Sequence, residues 1–215
     1  MQETLFLTLC GRALDNRSPH PILADTMADE IVRTLDNDCA RFRLSASPII
    51  NIAHRAKKLD EVALRFITRH PDAVALDLGA GLDTRMFRIA RQPRSTGTIS
   101  TFPRSSPRQQ LLPDRANVHG IGTDLTDPDW LVAIPTHRPA VIVADGLLAF
   151  LPQEDMISLL NRLISHVPSG EVASTATPGL LSGRRSTTTA PSRSRTSSAL
   201  PASTTPANPN AGTPA

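Results

Sequence analysis

The segment that most restricts what this chain can fold into is Val74-Ala75-Leu76-Asp77-Leu78, followed at once by Gly79-Ala80-Gly81-Leu82-Asp83. A short apolar run bounded by turn residues suits a strand covered on both faces, as strands of parallel sheets are. Two glycines directly after it allow backbone conformations closed to other residues, so the chain can turn sharply and continue as a helix. Strand, glycine turn and helix make up the opening unit of an open α/β sheet.

Other segments repeat the alternation. Residues 22–44 carry Ile22, Leu23, Met27, Ile31, Val32 and Leu35 at helical spacing. Residues 49–70 do the same with Ile52, Leu59, Val62, Ala63, Phe66 and Ile67, and Pro71-Asp72 closes that helix. Val118 to Leu125 is a second expected strand, and Ala140-Val141-Ile142-Val143-Ala144-Asp145 a third, rich in β-branched residues and bounded by Pro139 and Gly146. Pro152 to His166 is an expected amphipathic helix, with Met156, Ile157, Leu160, Leu163 and Ile164 facing inward. Strands alternating with helices predict an α/β, doubly wound, mostly parallel sheet with N-terminal helices ahead of it.

Two segments depart from the pattern. Residues 91–108, RQPRSTGTISTFPRSSPR, fall where a second strand and its helix belong yet show neither period. Residues 174–215 are Ser, Thr, Pro, Ala and Arg almost throughout, a composition that cannot bury enough apolar surface to offset chain entropy, and they are expected to be disordered. The same segments hold the basic excess. Arg91, Arg94, Arg104 and Arg108 lie in one, Arg184, Arg185, Arg193 and Arg195 in the other, and neither contains an acid; taking these eight charges from the net +3 leaves −5 on the rest. A body of that sign argues against nucleic acid as a partner, since phosphate neutralisation needs clustered Lys and Arg on a folded face.

Cys10 and Cys39 are the only cysteines, too few and too isolated for a disulfide framework or a zinc site, which fits a reducing cytoplasm. The apolar run Leu5–Cys10 is short and has no basic residue before it, unlike a signal peptide, and no stretch has the length of a membrane span.

By itself the glycine turn is ambiguous, because Gly-x-Gly after a first strand serves dinucleotide enzymes, methyltransferases and plain tight turns alike. Asp83 and Thr84 stand where the third glycine of G-x-G-x-x-G would fall, which disfavours a nicotinamide-dependent oxidoreductase. The wider strings RAKKLDEVALRFITRHPDAVALDLGAGLDTRMFR (Arg55–Arg88), GTDLTDPDW (Gly122–Trp130) and ADGLLAFLPQEDMISLL (Ala144–Leu160) resemble the leucine carboxyl methyltransferase-like family, closest to its bacterial branch with the polyketide O-methyltransferases. The resemblance covers residues 3–90 and 109–173. It implies a class I, Rossmann-like methyltransferase domain over residues 1–173, truncated relative to the family, with S-adenosyl-L-methionine as cofactor.

In that frame Arg55 would hold the cofactor's methionine carboxylate, and Gly79 and Gly81, in the turn after Asp77, would let backbone lie against its amino-acid part. Asp124 would take the adenine amine, Leu125 would pack on the ring, and Asp145 would face the methionine amino group or the substrate. Each has a plainer reading. Arg55 can be a solvated helix residue, Asp77 and Asp145 can cap turns beside their glycines, and Asp124 with Asp127 can cap a short helix. The resemblance further implies an oxygen acceptor on a small molecule or a carboxyl group; the cysteine usage and the lack of a membrane-length stretch add the expectation of a cytoplasmic protein without a membrane partner.

The family also carries an acid for the ribose hydroxyls on its second strand, in a string like WYDVDFPEV, whereas this chain has no acid between Asp83 and Asp114. Pairing the third base of each codon from Arg94 to Ser106 with the first two of the next, synonymous codons permit VDWYDIDFPEVVA. The same offset from Ala173 to Thr188 permits FNGYTRFAIWAAKHY, and both strings supply the tyrosine that the chain lacks altogether. Residues 91–108 and 174–215 are therefore expected to be out of frame. The alternative to an active transferase is a non-catalytic product of a decayed or mis-sequenced gene, in which loss of the second strand leaves its neighbours' ladder groups unpaired.

Overall fold

The computed structural model describes residues 2–35, 38–89, 98–103, 111–113, 116 and 118–175. All of these fall in one compact unit, residues 1–182. The expectations for residues 91–97, 104–108 and 176–215, the tail included, lie outside the described residues.

Among the described residues five strands form one parallel sheet: β1 (Val74–Asp77), β2 (Thr98–Phe102), β3 (Val118–Gly122), β4 (Ala140–Ala144) and β5 (Gly170–Ser174), in the order β3-β2-β1-β4-β5. β1 and β4 are buried along their whole length, and their Val, Ile, Leu and Ala content follows from having both faces covered. On one face Val74, Leu76 and Ile142 meet Trp130 together with Leu159 and Leu163 of α5 (Gln153–His166). On the other, Ala75, Val141 and Val143 meet Ala63, Phe66 and Ile67 of α3 (Ala46–Arg69). The two-residue period of the strands sorts these side chains onto opposite faces.

A third cluster joins α1 (Gln2–Asn16), α2 (Thr26–Thr34) and the short 3-10 turn Cys39–Phe42 to the glycine turn, through Leu9, Cys10, Ala28, Ile31, Val32 and Leu82. Asp25 caps α2, its carboxylate accepting from the Ala28 N–H.

The doubly wound parallel sheet and the N-terminal helices match the sequence expectation, and several particulars do not. The expected helix over 22–44 is shorter, because Ala24 adopts φ +56 just before the Asp25 cap and the helix closes at Leu35. Residues 2–16, passed over as a short apolar run, form α1. Ile157 and Ile164, expected to face inward, are exposed; Leu159 and Leu163 make the contact with the sheet.

Cys10 and Cys39 are bonded to one another across 29 residues, because the packing of α1 on the 3-10 turn brings their Cα atoms to 5.5 Å. Cysteine usage thus no longer speaks for a reducing compartment.

The largest correction concerns the second strand. TISTF pairs in register with β1 (Ala75 with Thr98, Asp77 with Ser100) and with β3 (Thr98 with Val118, Phe102 with Gly122). The sheet is continuous there, and the expected orphaned ladders do not arise. Thr, Ile and Phe favour extended backbone, and a slot between two parallel strands offers ladder partners on both sides.

Candidate functional site

In the order β3-β2-β1-β4-β5 the winding direction reverses between β1 and β4. Open α/β sheets receive ligands at such a switch point, in the crevice beyond the carboxyl ends of the strands. β1 ends at Asp77 and runs into Gly79 and Gly81, whose φ values of +62 and +50 lie in the left-handed region where glycine is favoured. The turn is pinned to β2, Gly79 N–H donating to Thr101 Oγ (3.0 Å) and Ala80 N–H to the Thr101 carbonyl (2.8 Å). Leu147 and Leu5 close the side on which these glycines would carry a Cβ. β4 ends at Ala144, and Asp145 with Gly146 follows at the same end of the sheet.

Arg55, on the open side of α3, reaches this end: its Nε lies 3.0 Å from Asp145 Oδ1. Arg55 is 41% exposed and Asp145 13%. The Thr175 hydroxyl donates to the same carboxylate (3.3 Å) and accepts from the Gly146 N–H (2.8 Å). Among the described residues, a Cβ built at Gly146 would meet nothing within 4 Å, so space opens beside the Asp145 end of the pair.

Beneath the turn lies a buried ionic cluster that sequence reasoning missed. Arg85, at the start of the short helix α4 (Arg85–Ile89), is fully buried and contacts Asp60 (2.8 Å), Asp77 (2.9 Å), Asp83 (3.2 Å) and Asp145 (3.5 Å). Arg88 contacts Asp25 (2.7 Å), Asp60 (2.6 Å) and Asp83 (3.1 Å), and Arg12 of α1 joins Asp25 (3.2 Å) and donates to the Leu82 carbonyl (2.8 Å). Burial pushes the Asp83 carboxyl upward, but Arg85, Arg88 and Arg12 outweigh it and hold the group well below the usual carboxylate range. Burial works against the Arg85 charge too, and Asp83, Asp77, Asp60 and Asp145 overcome it. The traceable signal was the run Asp83-Thr84-Arg85-Met86-Phe87-Arg88, two arginines three apart beside an acid; that both are buried depends on packing the sequence does not display.

Of the expected site residues, the fold brings Arg55, Gly79, Gly81 and Asp145 to the switch point, as described above. Asp77 sits under the turn, buried and engaged by Arg85, so it supports the site from behind. Asp124 and Leu125 follow β3 at the same end of the sheet. The Asp124 carboxylate is exposed and accepts from the Thr126 N–H (2.9 Å) and hydroxyl (2.8 Å), bonds that lower its pKa; it closes a turn rather than capping the short helix Asp129–Ala133, whose N-cap is Pro128. Leu125 packs in the α5-side core, its carbonyl taking Arg162 Nη2 (2.7 Å). Among the described residues no group of acidic, His or Cys side chains could hold a metal ion.

A five-stranded parallel sheet in this order, with a glycine turn after β1, defines a doubly wound, Rossmann-like domain. The family model for leucine carboxyl methyltransferase matches residues 6–164, and the chain belongs to that family. It is 41% identical over 177 residues to the tetracenomycin polyketide synthesis O-methyltransferase TcmP of Streptomyces glaucescens, covering 80% of this chain and 64% of that protein. It is 30% identical over 186 residues to the S-adenosyl-L-methionine-dependent methyltransferase dpfgK of Gibberella zeae, covering 77% of this chain and 61% of that protein. The chain thus spans less than two thirds of the length of these relatives. A crystal structure of the plantazolicin methyltransferase BpumL with a triazolic desmethyl analogue and SAH aligns over 85% of this chain and 65% of that one, with a TM-score of 0.43 and 18% identity.

Proposed function

We propose that this chain binds S-adenosylmethionine and serves methyl transfer to an oxygen of a small-molecule acceptor. The observation that carries the reading is the Arg55–Asp145 pair at the switch point, a partly open cation and anion beside the glycine turn and the space at Gly146. An amino-acid end, carboxylate and ammonium together, fits such a pair by exchanging its own charges for theirs, Arg55 taking the carboxylate and Asp145 the ammonium. Gly79 and Gly81 would offer backbone to the same part, with Asp77 bracing the turn through Arg85. Asp124 would take the adenine amine and Leu125 would border the ring.

The cofactor supplies a methyl group on a positively charged sulfur. The chain's share is to hold that carbon in line with the acceptor oxygen, which is chiefly proximity and orientation. A carboxylate acceptor is already ionised and needs no base, whereas a phenol or alcohol gains from one. The likeness to TcmP supports a polyketide-like acceptor. Nucleic acid and membrane have no part in this reading; among the described residues no helix is long and apolar enough to cross a membrane.

A second reading, a product that does not turn over, is favoured by β2. Thr98–Phe102 contains no acid, and among the described residues the buried Ser100 hydroxyl has no hydrogen-bond partner. This supports the proposal that residues 91–108 are out of frame. Isothermal titration with S-adenosylmethionine and with NAD tests the main reading. Binding of the former is expected, weakened about 10- to 100-fold in Arg55→Gln by loss of one charged hydrogen bond. Tight NAD binding without an S-adenosylmethionine signal would sink it.

A further inference from the structure

Arg85 is 0% exposed, and its fork spans four parts of the fold. Nε goes to Asp60 on α3, Nη1 to Asp77 at the end of β1, and Nη2 to Asp83 in the glycine turn and Asp145 beyond β4. Burying such a cluster is a poor route to stability, since well-packed apolar side chains of similar volume often serve as well or better. What a planar, five-donor guanidinium offers instead is fixed geometry between groups on separate elements. Asp145 is the member shared with the open site. Its Oδ2 faces Arg85 from behind (3.5 Å), and its Oδ1 faces Arg55 in front (3.0 Å).

We propose that Arg85 is a positioning residue for cofactor binding, acting through Asp145 by anchoring that carboxylate from behind so that it is presented beside Arg55 to the amino-acid end of the cofactor. This rests on the reading of the site as an S-adenosylmethionine site. With Arg85 removed, four carboxylates lose their common partner, and Asp145 is free to collapse fully onto Arg55, closing the pair that the ligand must open. Lysine keeps the charge but not the fork, and cannot hold groups on four elements in register.

The test compares S-adenosylmethionine with 5′-methylthioadenosine, which has the same nucleoside and sulfur but no amino-acid end. Titrations use the full chain and Arg85→Lys, at a temperature where circular dichroism shows both folded. Arg85→Lys is expected to weaken S-adenosylmethionine at least 10-fold and to leave 5′-methylthioadenosine within about 2-fold. Adding Arg85→Lys to Asp145→Asn is expected to cost little more than Asp145→Asn alone. If Arg85→Lys does not fold, Asp60→Asn, which loosens Arg85 from α3, is expected to show a smaller loss with the same ligand selectivity. Parallel loss of both ligands marks a merely structural role and overturns the proposal, as does unchanged S-adenosylmethionine affinity in a folded variant. If the unsubstituted chain binds 5′-methylthioadenosine but not S-adenosylmethionine, or neither, the functional reading itself fails and this inference with it.

Discussion

Asp83 shows how much rides on single charges under the glycine turn. Its carboxylate is buried between Arg85 and Arg88 and accepts the Arg85 N–H at 2.8 Å. Removing one partner of a buried ionic cluster leaves the other charges uncompensated, so Asp83→Asn is expected to cost about 3–5 kcal/mol in urea melts near neutral pH. The pH dependence has a definite sign. The folded pKa lies well below that of an ordinary aspartate, about 3.9, so the stabilisation is complete above about that pH and is lost as pH falls through the folded value. The gap between the two proteins should hold from neutrality to about pH 5 and narrow below pH 4; a gap that widens in acid would refute the assignment. The glycines and Asp145 were legible in the sequence, since each is marked by its place beside a strand end, whereas Arg55, well inside α3, was pointed to only by the family resemblance. Arg85 and Arg88 were not legible, because a surface arginine and one buried among carboxylates look alike until α3, β1 and β4 are packed.

Among the elements, β1, β4 and α3 announced themselves through uninterrupted apolar runs or helical period, and these are the elements with both faces or one full face in the core. β2 gave no such sign. Its residues lie among Pro, Ser and Gly, and its strand character is fixed by neighbours twenty or more positions away in sequence. Thr, Ile and Phe favour extended backbone, but a run this short set among Pro, Ser and Gly becomes a strand through its non-local partners. Native-state amide exchange checks the outcome: backbone amides of residues 98–102 should be protected to a degree comparable with those of β3. Rapid exchange at β2 with protection at β1 would restore the expectation of an interrupted sheet.

The whole molecule brings the continuous sheet and the missing acid together. A sheet that closes without a gap removes the strongest reason for the printed chain to be unfolded, so a cooperative melt is now expected of it. What the continuity of β2 does not repair is its chemistry. In VDWYDIDFPEVVA the seventh residue, an aspartate, begins at codon 100, which in this chain encodes Ser100, buried and, among the described residues, unpartnered, in register with Asp77. One charged hydrogen bond to a ribose hydroxyl is worth about 1.5–3 kcal/mol, or roughly 10- to 100-fold in affinity. The other end of the sheet bears on association. Among the described residues β5 is an edge strand with Val172 43% exposed; Val172 pairs with Ile142, so it shares the α5 face, where Ile157 and Ile164 are exposed as well. An open edge beside exposed apolar side chains favours pairing between copies. A synthetic chain carrying VDWYDIDFPEVVA and FNGYTRFAIWAAKHY in place of the printed segments should therefore bind S-adenosylmethionine about 10- to 100-fold more tightly than the printed chain. In sedimentation velocity the printed chain should associate as its concentration rises, and the restored one less so. Equal affinity in the two proteins, both folded, would show that β2 lacks nothing the cofactor needs, and the proposal that residues 91–108 are out of frame would lose its functional support.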